Sequence, residues 1–205
     1  MLTVWTLLWG DKYRPSDVYW MRDSVAGNLR VPHRFVCVTE QDLPDLETVA
    51  PPVDWPGWWG KLAVPGMGTE QNIWLDLDVV ITGSLDFLLP FTTGPLAMAW
   101  NWAQSGHGGC QSSVMAWGGK IDVQAGFDPA WAHWPPRNER GIFWGDQEYI
   151  THLRDTGQLE VVEIQAQFIK SYKYHCRHGL PKDCRVVVFH GDPKPKAVSE
   201  DWLPW

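Results

Sequence analysis

Residues 72–81 read NIWLDLDVVI, an apolar run that carries two carboxylates two positions apart. In a β-strand, residues i and i+2 project from the same face, so Asp76 and Asp78 are expected to point together while their aliphatic neighbours pack. Two unpaired carboxylates in an apolar setting repel each other and are costly to desolvate. A divalent cation such as Mg²⁺ or Mn²⁺, which prefers carboxylate oxygen, would remove that cost. The alternative is a strand that ends in a polar turn with both carboxylates solvated.

Length and composition predict a single folded domain over residues 1–205, because 44% of the residues are hydrophobic and support a sizeable core. No apolar run reaches the ~18 residues that a membrane span needs, and charged residues follow the apolar start at once, unlike in a secretory signal. The four cysteines are scattered, which favours reduced thiols over a disulfide framework. These features predict a cytoplasmic protein without a membrane span.

The net charge of −7 is unevenly distributed along the chain. Segment 170–196 holds seven basic and two acidic residues, a net +5, and the rest of the chain carries a net −12. One basic segment on an acidic protein favours a confined anionic ligand over general coating of nucleic acid. The alternative is a solvated basic loop.

The N-terminal part alternates strands and helices in the way that is typical of α/β proteins. Residues 2–9 predict a buried strand, residues 16–29 a helix, and residues 34–39 a second strand. A mostly parallel sheet follows from this order. Ligands bind at the carboxyl ends of strands in such sheets, so Trp9 and Tyr13 are expected at a site. Tyr13 would stack there on a nucleobase or lie exposed in a surface loop.

Later segments continue the pattern and add polar loops. Asp146 is a natural N-cap for the helix that follows it, and residues 125–140, rich in Pro and Trp, predict a loop or lid over a site. Lys61 follows a Trp- and Gly-rich stretch, where it would suit a phosphate or sugar oxygen or, alternatively, lie exposed on a short helix. Further strands are predicted at residues 72–81, 96–100, 111–117, 159–164 and 185–189. The last strand delivers residues 190–195, HGDPKP, to its carboxyl end.

In this order, the motifs resemble those of the GT-A glycosyltransferases, and most closely the family 8 type that includes glycogenin and bacterial galactosyltransferases. The resemblance runs from about residue 2 to residue 196 and rests on the ordered set of motifs. The matching features are Tyr13 in the first loop, Lys61 before the acidic pair, the Asp-x-Asp motif at 76–78, QSSVM at 111–115 for the family's Asn-Ser-Gly-Val-Met, Asp146-Gln147 for its Asp-Gln motif, and HGDPKP at 190–195 for its His-x-x-Gly-x-x-Lys-Pro.

The resemblance implies an α/β GT-A fold, with a Rossmann-like, mostly parallel sheet flanked by helices, and transfer of a sugar from a nucleotide donor. The implied cofactor is Mn²⁺ or Mg²⁺, and the implied donor is a UDP-sugar. Asp76, Asp78 and His190 would bind the metal, and Asp76 would also reach the ribose. The metal and nearby lysines would stabilise the charge that develops on the diphosphate leaving group.

The resemblance also assigns the rest of the donor site. Lys61 and Lys194 would hold the diphosphate or the donor sugar, and Gly191 would let the backbone approach it. Trp9 and Tyr13 would lie beside the nucleotide. Segment 170–196 would thereby complete the donor site.

The reacting centre is assigned in the same way. Asp146 would bind the donor sugar near the reacting carbon, with Gln147 beside it as an alternative nucleophile and Lys61 as a further catalytic residue. The chain departs from the family pattern at Gln111, where the family has Asn, and in the shortened spacing between His190 and Lys194. The resemblance to family 8 implies retention of the anomeric configuration, although no residue of the sequence determines it, and the acceptor is not indicated. A glycan, a small molecule or a modified DNA base remain open.

Two alternatives belong to other functional classes. A metal-dependent nucleotidyl- or phosphoryl-transfer enzyme would also use the acidic pair, with Asp86 or Asp122 as the third carboxylate, but it leaves residues 190–195 unexplained. A non-catalytic carbohydrate-binding protein is suggested by the 15 tryptophans. Such modules are usually β-sandwiches, and the alternation of strands and helices argues against one.

Overall fold

The computed structural model describes residues 1–102, 109–133 and 143–204. One sequence prediction therefore falls partly outside the described residues, namely the loop or lid at 125–140. Within the described part of the chain, no helix is long and apolar enough to cross a membrane. The four cysteines are free and buried, as expected for reduced thiols.

Ten strands and two α-helices, joined by short 3₁₀ and π segments, form the regular structure of the described residues. In chain order they are β1 (Leu2–Leu7), α1 (Pro15–Asn28), β2 (His33–Val38), β3 (Glu47–Val49), β4 (Gln71–Leu75), β5 (Val79–Ile81), β6 (Leu96–Trp100), β7 (Cys110–Gly118), α2 (Asp146–Asp155), β8 (Val161–Glu163), β9 (Ile169–Ser171) and β10 (Val186–Val188).

The main sheet has seven strands in the order β3-β2-β1-β4-β7-β6-β8. Four of its six pairings are parallel, and β7 is antiparallel to both of its neighbours, β4 and β6. The prediction of a mostly parallel α/β sheet is confirmed. The predicted strands at 159–164 and 185–189 are shortened to the three residues of β8 and of β10.

Helix α1 begins within one residue of its predicted start. Pro15 occupies the first helical position, where its fixed φ suits the helix and its missing N–H is not needed. The Asp17 carboxylate accepts a hydrogen bond from the backbone N–H of Arg14 at 2.7 Å and so closes the first turn. The face formed by Val18, Met21 and Val25 is fully buried in the core.

The core lies on both faces of the main sheet because side chains alternate along each strand. Val4 and Ile73 belong to the cluster that includes α1, and their neighbours Trp5 and Trp74 belong to the cluster that includes α2. The two helices therefore flank opposite faces, which leaves the carboxyl ends of β1 and β4 open to a site between the loops.

A second, three-stranded sheet in the order β5-β10-β9 was not predicted. In it, β5 is antiparallel to β10, and Val79 pairs with Val188. The backbone N–H of Phe189 donates to the Asp78 carbonyl at 3.0 Å, immediately beyond the last paired residues. This small sheet therefore brings the segment after residue 188 next to the acidic pair.

Candidate active site

A cavity of about 410 Å³ opens where the loops after β1, β4 and β10 meet the start of α2. It brings together nine of the ten residues that the sequence predicts for the site: Trp9, Tyr13, Lys61, Asp76, Asp78, Asp146, Gln147, His190 and Gly191. The tenth, Lys194, contacts this group through an ion pair with Asp78. The chain segments that carry these residues are far apart in sequence, so the convergence is a property of the fold.

Asp76 and Asp78 lie in a turn between β4 and β5, and the prediction that they share one face of a continuous strand is wrong. The chain leaves the main sheet after β4 and enters the small sheet at β5, so the strand has to break between them. The Asp76 backbone N–H donates to the Ser113 carbonyl at 2.9 Å, which ties the turn to β7. Both carboxylates still line the cavity.

Lys61 is buried beneath the cavity, on a 3₁₀ helix from Gly57 to Met67, so the alternative of an exposed lysine is wrong. Its Nζ lies 2.7 Å from Asp76, 3.4 Å from Asp146 and 3.2 Å from the Ser112 hydroxyl. Burial alone would lower the pKa of Lys61, but Asp146 and Asp76 outweigh burial and the pKa is raised. Lys61 is therefore an ammonium at neutral pH, and it lies between two carboxylates.

Asp146 is the first residue of α2 and does not cap it, since Gly145 occupies the N-cap position. The prediction of Asp146 as the N-cap is wrong because its carboxylate turns toward the Lys61 ammonium instead of the backbone N–H groups of the first turn. The Asp146 side chain is 8% exposed. Its Oδ2 atom is buried and accepts no hydrogen bond from any described residue. An acceptor in that state is open to a ligand that brings a donor.

Asp78 forms an ion pair with a second lysine, Lys194. Lys194 Nζ lies 2.7 Å from Asp78 Oδ2, and the Tyr13 hydroxyl donates to the same oxygen at 3.1 Å. Burial, followed by the charges of Asp78 and Asp76, raises the pKa of Tyr13, so its hydroxyl remains a donor. The two carboxylates of the acidic pair thus have different lysine partners.

His190 follows β10 and is held in a fixed orientation. Its Nε2 lies 2.7 Å from the Ser171 hydroxyl, and its ring is stacked near Trp102 and Tyr174 at centroid distances of 6.1 and 5.8 Å. Burial, and then the charge of Lys173, lowers the pKa of His190. Metal-binding histidines are neutral and usually hydrogen-bond through the ring nitrogen that does not bind the metal. In His190 the Nε2 atom makes such a hydrogen bond, which leaves Nδ1 as the nitrogen that could bind a metal.

Gly191 adopts a left-handed backbone with φ +68°. A Cβ atom at this position would lie 3.0 Å from Lys173 Nζ, closer than most such contacts. Glycine is therefore favoured here both by backbone conformation and by space. Gly191 lines the cavity, so its backbone is placed where a ligand could approach it closely, as the sequence predicts.

Asp76, Asp78 and His190 supply the oxygen and nitrogen donors that Mn²⁺ accepts, so the chemistry of the donor set fits the implied metal. As they stand, no three His, Cys, Asp or Glu side chains within residues 1–102, 109–133 and 143–204 are grouped closely enough to hold a cation. The two aspartates are instead neutralised by Lys61 and Lys194. Metal binding therefore requires the carboxylates to exchange a lysine contact for the cation.

Nucleotidyl transfer would need a third carboxylate at the site, and the two residues predicted for that role, Asp86 and Asp122, do not supply it. Neither Asp86 nor Asp122 lines the cavity, and Asp86 accepts a hydrogen bond from the Arg30 backbone N–H at 3.1 Å elsewhere. The other carboxylate residues that line the cavity are Asp146 and Glu148. The α/β sheet also excludes the β-sandwich expected of a carbohydrate-binding module.

Sequence reasoning missed several residues that line the cavity. Trp74 donates through its indole N–H to Asp76 Oδ1 at 2.8 Å. Lys12 and Trp58 also line the cavity, as does Trp144, whose side chain is 50% exposed. Lys12 stands directly before Tyr13 in the loop after β1, so the rule that placed Tyr13 at a strand end could have identified it.

No protein-family model matches the chain, and no curated protein sequence matches it. Solved structures do. The galactosyltransferase LgtC, solved with donor and acceptor sugar analogues, aligns with a TM-score of 0.61 at 14% identity over 95% of this chain and 89% of its own. The glycosyltransferase GlyE of Streptococcus pneumoniae TIGR4 aligns with a TM-score of 0.62 at 14% identity over 95% of this chain and 56% of its own. The predicted GT-A fold is confirmed.

Proposed function

We propose that the protein is a glycosyltransferase that moves a sugar from a nucleotide-sugar donor, a UDP-sugar, to a hydroxyl acceptor with the help of Mn²⁺ or Mg²⁺. The observation that carries the proposal is Asp146 Oδ2, a buried carboxylate oxygen without a hydrogen-bond donor, next to Lys61 in a cavity of this fold. The Lys61 ammonium lies 3.4 Å from this oxygen as an ion pair without a hydrogen bond, and a sugar hydroxyl would supply the missing donor.

In the proposed reaction, the bond between the anomeric carbon and the diphosphate breaks, and a bond from that carbon to the acceptor oxygen forms. The acceptor hydroxyl loses its proton, and the nucleoside diphosphate leaves with the electron pair. Asp146 holds the donor sugar, the Lys61 ammonium lies 3.4 Å from the Asp146 carboxylate, and Gln147 follows Asp146 at the start of α2.

The leaving group has its own set of residues. Lys194 is the ammonium nearest to Asp78, and Tyr13 presents both its hydroxyl and its ring to the same region. Asp76, Asp78 and His190 would hold the metal, which when bound supplies positive charge that stabilises the departing diphosphate. Trp9 and Tyr13 would lie beside the nucleoside.

The acceptor is a hydroxyl-bearing glycan, a small molecule or a modified DNA base. A DNA acceptor would bind with an affinity that falls steeply with salt concentration, because phosphate contacts release counterions. Binding that is insensitive to salt would favour the other two classes. The free, buried cysteines support a reducing, cytoplasmic location.

The test is a screen of nucleotide sugars for donor hydrolysis in the presence of Mn²⁺, which needs no acceptor. We expect turnover of at least one UDP-sugar, and a fall of roughly 100-fold in Asp146→Asn, which keeps the size of the side chain and removes its charge. Asp122→Asn is the matched control, since Asp122 is exposed and does not line the cavity. No hydrolysis of any nucleotide sugar, or equal losses in the two variants, would reject the proposal.

A further inference from the structure

Lys12 is a cavity residue for which the proposed reaction has no role so far. It lies in the loop after β1 and lines the cavity. Its ammonium is 5.3 Å from the centroid of the Tyr13 ring and 5.8 Å from that of Trp58. The aromatic faces favour a cation at this position, so the ammonium is held at the cavity although the residue as a whole is exposed.

The charge of Lys12 is not compensated in the way that the other cavity lysines are. Lys61 is paired with Asp76 and Asp146, and Lys194 is paired with Asp78. No carboxylate of a described residue lies within ion-pair distance of Lys12. Among the described residues, Lys12 is therefore a cavity lysine without an ion pair, although the charges of Asp78 and Asp76 act on it from farther away.

A second cation stands beside Lys12. Lys194 Nζ lies 5.7 Å from the centroid of the same Tyr13 ring. Burial first, and then the charge of Lys194, lowers the pKa of Lys12, while the charges of Asp78 and Asp76 act in the opposite direction. Two ammonium groups around one ring repel each other, and an anion that contacts both of them would replace that repulsion with attraction.

We propose that Lys12 and Lys194 form a two-cation site for the diphosphate of the nucleotide donor, with the Tyr13 ring next to both ammonium groups. The inference rests on the proposed function and assigns the leaving group a binding residue that the sequence motifs do not include. As the glycosidic bond breaks, negative charge grows on the diphosphate. A second ammonium at that place stabilises the leaving group beyond what Lys194, already shared with Asp78, provides.

The test compares two ligands of the same nucleoside, UDP and uridine, by calorimetry and by NMR titration in the presence of Mn²⁺. Lys12→Met removes the charge and keeps an unbranched side chain of similar length. We expect it to weaken UDP binding about tenfold, the scale of one partly exposed charge-assisted hydrogen bond, and to leave uridine binding within about twofold. Lys12→Arg keeps the charge and should bind UDP within about threefold of wild type.

The matched control is Lys120→Met, which makes the same change in net charge at an exposed position outside the cavity. Equal UDP affinity in Lys12→Met and Lys120→Met, or an equal loss for UDP and uridine, would overturn the two-cation site and leave the proposed function standing. A wild-type protein that binds no nucleoside diphosphate would overturn both. Thermal melting of each variant confirms that the compared proteins are folded.

Discussion

Replacing Lys61 by methionine tests whether the carboxylates of the cavity depend on one buried ammonium. The Lys61 side chain is 4% exposed, and its Nζ lies 2.7 Å from Asp76 and 3.4 Å from Asp146. Removing one partner of a buried ion pair costs about 3–5 kcal/mol, because the other charge stays buried and uncompensated. Asp76 keeps 22% of its side-chain exposure, so water can solvate it in part. We therefore expect the free energy of unfolding to fall by about 3 kcal/mol, the lower end of that range.

Urea unfolding followed by tryptophan fluorescence measures this loss. Lys120→Met, with the same change in net charge at an exposed site, should stay within about 0.5 kcal/mol of wild type. The double variant Lys61→Met/Asp146→Asn removes the charge of one carboxylate that has lost its ammonium partner. It should recover at least about 1 kcal/mol of the unfolding free energy that Lys61→Met loses. If Lys61→Met is as stable as Lys120→Met, or if the losses of the two cavity substitutions simply add, the ammonium does not hold the carboxylates as described.

The pH dependence of the same pair has a defined sign. Because the pKa of Lys61 in the folded protein is raised above its usual 10.5, the protonated form stabilises the fold fully below that pH. The contribution is lost as the pH rises through the folded-state pKa. The difference in unfolding free energy between wild type and Lys61→Met should therefore be constant from about pH 7 to 9 and shrink only in more alkaline solution.

The remaining predictions concern the donor and the metal. Tyr13→Phe removes the hydrogen bond to Asp78 and should cost about 1 kcal/mol in urea unfolding while keeping the ring; an unchanged midpoint would contradict the bond. His190→Ala should abolish the Mn²⁺-dependent part of UDP binding in calorimetry, and unaltered binding would exclude His190 as a ligand. Gly191→Ala should destabilise the protein by about 1–2 kcal/mol because of its positive φ and its contact with Lys173, whereas a neutral effect would show that the loop relaxes. Adding Mn²⁺ with UDP should raise the melting temperature, and no shift with any nucleoside diphosphate would reject the donor site.

The elements that the sequence predicts well are those fixed by local pattern. The spacing of Val18, Met21 and Val25 identifies α1, and the alternation of Val4 and Trp5 between two core clusters follows from the period of a strand. These features depend on neighbours along the chain, so a sequence pattern is enough to place them.

Features that depend on distant pairing were missed. The break between Asp76 and Asp78 arises because β5 pairs with β10, a partner about a hundred residues later that no local pattern reveals. The burial of Lys61 likewise follows from carboxylates brought in by β4 and α2. The order of the motifs along the sequence still identified which residues come together at the cavity. A resemblance based on that order does not depend on the path of the chain between the motifs.

The pairing of β5 with β10 also sets when the site can exist during synthesis. All strands of the main sheet are present once residue 163 has been made, whereas the partner that anchors Asp78 begins at Val186 and Lys194 comes later still. Domains begin to fold while the ribosome is still adding residues, so a partly made chain would already have its scaffold. The cavity around Asp78 would be completed only after β10 and Lys194 had been made, so a nascent chain that stops before β10 would have the main sheet without the partners of Asp78.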